Sequence, residues 1–150
     1  GSSFLPSELN AAFLSAQLED IKIIQHKRLT HWNRYYIGFK ELQDKGYIKL
    51  PVIPEYSTPN GNTFFITCRD SATRNGLLNH LMKDEIKALS HYLPLHESEY
   101  YTKKHDGRIL GMCEKYSATL IRFPIFHELT EEQIDKIIES TYRFYACFKE

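Results

Sequence analysis

Seven histidines, three cysteines and 19 acidic residues are the side chains in this 150-residue sequence that could ligate a metal, attack a carbon or move a proton. His26 and His31 stand five apart in a stretch with helical spacing, whereas two ligands sharing a helix face need three or four. They read as part of a solvated basic face, and no metal is expected. His91 and His96 differ, because they bracket Tyr92-Leu93-Pro94-Leu95, where Pro94 turns the backbone as a strand leaves its sheet. Strand ends of this kind collect ligand groups, which makes His96 the first candidate for a binding residue. Cys68, Cys113 and Cys147 lie at least 34 residues apart, giving neither a disulfide framework nor a CxxC pair, so unconnected reduced thiols are expected. No GxSxG elbow, GxGxxG turn or GxxxxGK[ST] loop occurs, so the sequence offers no activated serine and no glycine-rich phosphate cradle.

Two basic clusters could meet phosphate, one of Lys22, Lys27, Arg28 and Arg34 and another of Lys103, Lys104 and Arg108. Nineteen basic residues cancel nineteen acidic ones, however, so no global field gathers nucleic acid or an anionic membrane, and the clusters read as solvated faces. The stripe Trp32, Tyr36 and Phe39 reads as core and not as a stacking platform. The longest charge-free run, residues 56–68, has 13 residues and contains Pro59 and Gly61, well short of the roughly 20 apolar residues of a membrane helix. With no basic, apolar, small-residue leader, the expected address is cytoplasmic.

The elements that must position these groups form one domain with a real core, since 42% of residues are hydrophobic and 13% aromatic. Residues 7–45 lack proline, begin at Ser7-Glu8 and place Leu9, Ala12, Phe13 and Ala16 on one face, predicting a helical arm with a bend at 18–20. Gly46 closes the arm, and strands are predicted over 47–53, 63–68, 88–93 and 119–123. Helices are predicted after the caps at 70–73, with Leu77, Leu78, Leu81 and Met82 inside, and over 111–117. The last helix is announced by a capping box at Thr130 and Gln133 and by the stripe Ile134, Ile137, Ile138, Thr141, Tyr145 and Phe148. The order α-α-β-β-α-β-α-β-α implies a small mixed sheet covered by helices with a long amino-terminal arm, an α+β (α/β two-layer) domain. Residues 97–108 have no periodicity and read as a long surface or binding loop.

Three segments, in order along the chain, resemble the carboxy-terminal part of the DegT/DnrJ/StrS sugar aminotransferases. The first runs from Gly1-Ser2-Ser3-Phe4-Leu5-Pro6-Ser7-Glu8 through Asn10-Ala11-Ala12-Phe13-Leu14 to Ala16-Gln17-Leu18-Glu19. The second is Ser90-His91-Tyr92-Leu93-Pro94-Leu95-His96, and the third is Arg122-Phe123-Pro124-Ile125-Phe126 followed by Leu129-Thr130-Glu131-Glu132-Gln133.

The resemblance implies the small domain of a fold-type I pyridoxal phosphate (PLP) transferase. Residues 1–18 would be the interdomain segment and first helix, and 19–150 the body of the small domain. In this family a lysine of a separate large domain holds PLP, glutamate donates the amino group and a nucleotide-sugar ketone such as a dTDP-sugar receives it. No lysine here stands in the family's Ser-x-x-x-Lys context, so the resemblance implies no catalytic residue in this chain and no cofactor bound by it alone. It also implies that Ser3, where relatives carry asparagine, approaches the PLP phosphate of a partner subunit, and that His96, His91 and Tyr92 lie on the substrate side. The expected partners are the missing large domain and a second copy, through the amino-terminal helices. The alternative is a stand-alone, non-catalytic module that binds a nucleotide-sugar or a protein.

Overall fold

The structure, a computed structural model, describes residues 4–90 and 92–147. Helix α1 (Glu8–Glu19) starts where the Ser7 hydroxyl accepts the Asn10 N–H at 3.3 Å, and it ends at Asp20, where α2 (Ile21–Gly38) begins. The bend therefore falls where the loss of apolar spacing placed it. Helix α3 (Lys40–Asp44) follows, and Gly46 terminates the arm at φ +77°, a conformation costly for any residue with a Cβ. Gly38 has a different reason: a Cβ there would sit 2.5 Å from Ile138 Cδ1, so the glycine lets the end of α2 approach the last helix.

Strands β1 (Ile48–Lys49), β2 (Phe64–Cys68) and β3 (Leu120–Phe123) form one sheet in the order β1-β2-β3, antiparallel throughout and not mixed. Helices α4 (Ser71–Lys83), α5 (Gly111–Thr119) and α6 (Glu131–Ala146) complete the α+β domain. Two predicted strands are shortened. Beyond Lys49 the Leu50 N–H donates to Gln43 Oε1 at 2.9 Å instead of to β2, and Pro51 has no N–H to offer. Among the described residues, the segment predicted over 88–93 contributes a bridge between Leu89 and Arg122 and no ladder, because Ala88, Leu89 and Ser90 lack the β-branched packing that sustains one.

Alternation across the sheet decides what faces what. Phe64 pairs with Phe123 and Ile66 with Ile121, and all four are buried under α2, α4 and α6. Trp32 and Tyr35 of α2 and Phe39, which caps it, pack their rings on Phe64 at centroid distances of 5.5, 5.1 and 6.0 Å. Tyr35, outside the predicted stripe, is as fully buried as Phe39, and its hydroxyl donates to the Pro124 carbonyl at 2.9 Å, whereas Tyr36 lies at the core's edge. Burial pushes the Tyr35 phenol far up.

On α4, Leu77 and Leu81 are core and Leu78 packs partly against it, but Met82 is 73% exposed and not inside. Helix α6 carries the capping box as read, and Ile134, Ile137, Thr141 and Tyr145 are buried with Ile138 beside them. Phe148 lies outside the described residues.

The basic-face reading of the arm changes in two places. His31 is buried, with Nδ1 3.0 Å from the Phe126 carbonyl oxygen. Arg34 reaches across to α6 and holds Asp135 with two hydrogen bonds of 2.8 and 2.7 Å and Glu131 with one of 2.7 Å. These contacts are long-range, which is why local spacing did not reveal them.

Candidate functional site

The strand-end motif leaves the sheet after the Leu89 bridge and meets Pro94, whose φ of −57° and ψ of 140° turn the chain into a 3₁₀ turn, Leu95–Glu97. Ser117 on α5 fixes this exit by donating its hydroxyl to the Tyr92 carbonyl at 3.1 Å. Tyr92, Leu93 and Pro94 then face Cys113, Tyr116 and Ser117 across an open cleft of about 250 Å³. Tyr92 is 73% exposed.

His96 turns the other way. Its side chain is 11% exposed, with Nε2 3.8 Å from Glu114 Oε1 and 3.9 Å from Glu97 Oε1. Its ring lies against His105, with centroids 5.1 Å apart, and His105 Nε2 is 3.0 Å from the Arg108 carbonyl oxygen. The aperiodic loop is thus folded upon the motif and not splayed into solvent. Ser98 donates to the Leu95 carbonyl at 2.7 Å and Thr102 to the Ser98 carbonyl at 2.7 Å, two local closures that replace helix or strand bonding. Asp106 accepts the Arg108 N–H at 3.1 Å, and this bond, with the Arg108 and His105 charges, holds its carboxyl below the usual carboxylate range.

Of the residues singled out from the sequence, Tyr92 lines the cleft and His96 anchors the loop beside it through Glu114. His91 and Ser3 lie outside the described residues. Glu114, His105 and Ser117 were missed because they sit in a loop and a helix whose place against residues 92–96 no local pattern encodes. Among the described residues no group of three or more His, Cys, Asp or Glu could hold a metal ion. Cys68 is buried, its thiol pushed up to about 11 chiefly by burial, whereas Cys113 and Cys147 are exposed. No helix of the described residues is long and apolar enough to cross a membrane.

A three-stranded antiparallel sheet under α2, α4 and α6, with a helical arm ahead of it, is the architecture found in solved aminotransferases. A Helicobacter pylori structure, "PseC, aminotransferase involved in the biosynthesis of pseudoaminic acid", superposes with a TM-score of 0.85 at 22% identity, over 99% of this chain and 40% of that one. NtdA from Bacillus subtilis, solved with its cofactor PMP bound, gives a TM-score of 0.69 at 26% identity over 82% of this chain and 28% of that one.

The sequence matches the DegT/DnrJ/EryC1/StrS aminotransferase family over residues 1–141, and the chain belongs to that family. A curated relative, the 3-oxo-glucose-6-phosphate:glutamate aminotransferase of Bacillus subtilis (strain 168), is 26% identical over 138 residues, 89% of this chain and 31% of that protein. The chain therefore spans about a third of the length of this relative.

Members of the family depend on pyridoxal phosphate. The residues described here do not fit its covalent anchorage. Every described lysine is exposed at the surface, none lines the cleft at 92–94, and the cleft presents no carboxylate for a pyridine nitrogen.

Proposed function

We propose that this chain is the carboxy-terminal small domain of a nucleotide-sugar aminotransferase whose large domain carries the cofactor lysine. In this reading the whole enzyme moves the amino group of glutamate to a dTDP-4-oxo-6-deoxy sugar in the cytoplasm. The 4-amino product serves cell-surface polysaccharide such as lipopolysaccharide, and the chain alone is inactive. The observation that carries the reading is a family match along nearly the whole chain that covers only about a third of the curated relative.

The residues present would then shape one wall of the substrate cleft. Tyr92 offers a ring and a phenolic O–H, and Ser3 would reach the partner subunit's cofactor phosphate. His91 would meet the sugar or its phosphate, and His96 would join it by turning its ring out from between Glu114 and His105.

Purified chain mixed with PLP and then borohydride should show no adduct fixed to a single lysine by mass spectrometry. It should also show no glutamate-dependent amination of the dTDP-sugar. Turnover by the chain alone would overturn the reading.

The arm supports a second element, association with a second copy. Leu9 and Phe13 are 80% and 70% exposed on α1, which buries none of its residues. Light scattering should show a mass that rises with concentration and falls to the monomer value in Phe13→Asp. A monomer at every concentration would refute association through the arm.

A further inference from the structure

Two asparagines of this chain, Asn60 and Asn75, are followed by glycine, and the fold treats them differently. An asparagine before glycine can be attacked by its own main chain, because the next nitrogen can close a five-membered ring on the side-chain carbonyl carbon and glycine has no Cβ to obstruct it. Asn75 and Gly76 lie inside α4, where the Gly76 N–H is committed to the helix's own hydrogen bonding. Ring closure there requires the helix to open.

Asn60 and Gly61 lie in the segment 58–63, which belongs to no helix or strand and leads from the turn at 54–57 into β2. Side chains of α2 hold this segment. Gln25 Nε2 donates to the Asn60 carbonyl, Arg28 Nη1 to Asn62 Oδ1 at 2.9 Å, and the Trp32 indole N–H to the Thr63 carbonyl at 3.2 Å. Asn60 itself is exposed, and its Oδ1 accepts the Asn62 N–H at 3.0 Å. Attack on the Asn60 side-chain carbon would place negative charge on this same oxygen. The Asn62 N–H is therefore a donor already in position, within the about 2.7–3.1 Å that stabilises an oxyanion.

We propose that Asn60 is a self-modification site, at which the Gly61 nitrogen displaces the side-chain amide as ammonia. The Gly61 nitrogen gives up its proton to solvent base and bonds to Asn60 Cγ, the Cγ–Nδ2 bond breaks, and the departing nitrogen takes a proton back from solvent. Water then opens the resulting succinimide. Attack at Cγ gives aspartate, attack at the main-chain carbonyl gives isoaspartate, and either product adds one negative charge to a chain whose net charge is zero. No oxidant or reductant takes part.

Isoaspartate lengthens the main chain by one methylene immediately before Gly61, where the space is already filled. A Cβ on Gly61 would sit 2.8 Å from the Arg28 main-chain carbon. The isoaspartate form of the loop must move off α2, and the Trp32 indole then loses the Thr63 carbonyl. The site uses none of the residues from 90 to 96 and does not rest on the amino-transfer reading.

The test is to hold the whole chain at mildly alkaline pH and follow the peptides containing Asn60 and Asn75 by mass spectrometry. In the folded chain Asn60 should convert at least about tenfold faster than Asn75, which waits for α4 to open. In denaturing urea the two rates should converge, since the local chemistry is the same. The product at 60 should include isoaspartate, because direct hydrolysis of the amide gives aspartate alone.

Trp32 is the one tryptophan in the sequence, so its emission should shift in the isoaspartate fraction. It should not shift in Asn60→Asp, which gains the charge without lengthening the main chain. Equal rates in the folded chain, a slow Asn75 in urea, aspartate without isoaspartate, or unchanged emission of the isoaspartate fraction would each overturn the proposal.

Discussion

Truncating Phe64 to alanine tests the physical claim on which the site's geometry rests, that one aromatic cluster clamps the sheet to α2. Phe64 is fully buried, and its ring meets Tyr35, Trp32, Phe39 and Phe123 at 5.1, 5.5, 6.0 and 6.3 Å. Removing a buried phenylalanine ring costs about 3–5 kcal/mol in lost transfer energy and cavity. Aromatic pairs add about 0.5–1.5 kcal/mol each, not additively, so the upper part of that range, about 4–5 kcal/mol, is expected.

With a urea m-value of about 2 kcal/mol/M, the midpoint should fall by about 2 M. Urea titration followed by circular dichroism reads it directly. Met82→Ala, on the exposed side of α4, is the comparison and should move stability by no more than about 0.5 kcal/mol. If Phe64→Ala lowered the midpoint by under about 0.5 M at unchanged m, the ring cluster would not be what holds β2 to α2.

Three further outcomes follow from the same structure. A thiol reagent at neutral pH should find Cys113 and Cys147 at once and Cys68 only in denaturant, because Cys68 is buried with its thiol held at about 11; three fast thiols would contradict this. Acid should destabilise the fold. Asp70, held by the Thr73 N–H, Asp84, held by the Ser140 hydroxyl and then Arg143, and Asp135, held by Arg34, all ionise below their unfolded range. The stability they contribute is present at neutral pH and is lost as pH falls below about 4. Comparing urea midpoints at pH 7 and pH 3 checks it, and Asp135→Asn should reduce the difference. Thr130→Ala removes the hydroxyl that accepts the Gln133 N–H at 3.2 Å and should cost about 1 kcal/mol by the same titration.

The helices were readable because their signals are local. Ser7, the Thr130–Gln133 box, Gly46 and the apolar spacing of α6 each act within one or two turns, and each does in the structure what its residue type dictates. The family, too, lay in contiguous motifs. Strand lengths were over-read because a strand needs a partner. Residues 47–53 and 88–93 have acceptable composition, yet Gln43 captures one N–H and a single bridge is all that β3 accepts from Leu89. Tyr35 and Met82 exchanged the roles expected of their neighbourhoods because burial depends on which helix face meets the sheet, a choice made by packing.

Of the site, the sequence by itself determined the residue types and the turn at Pro94. It also supplied His96 as a side chain able to donate or accept a proton. Only the tertiary structure decided that His96 faces Glu114 and His105 while Tyr92 lines the cleft. Those meetings join residues from separate elements, and their energies arise on chain closure, where spacing along the backbone carries no information about distance in space.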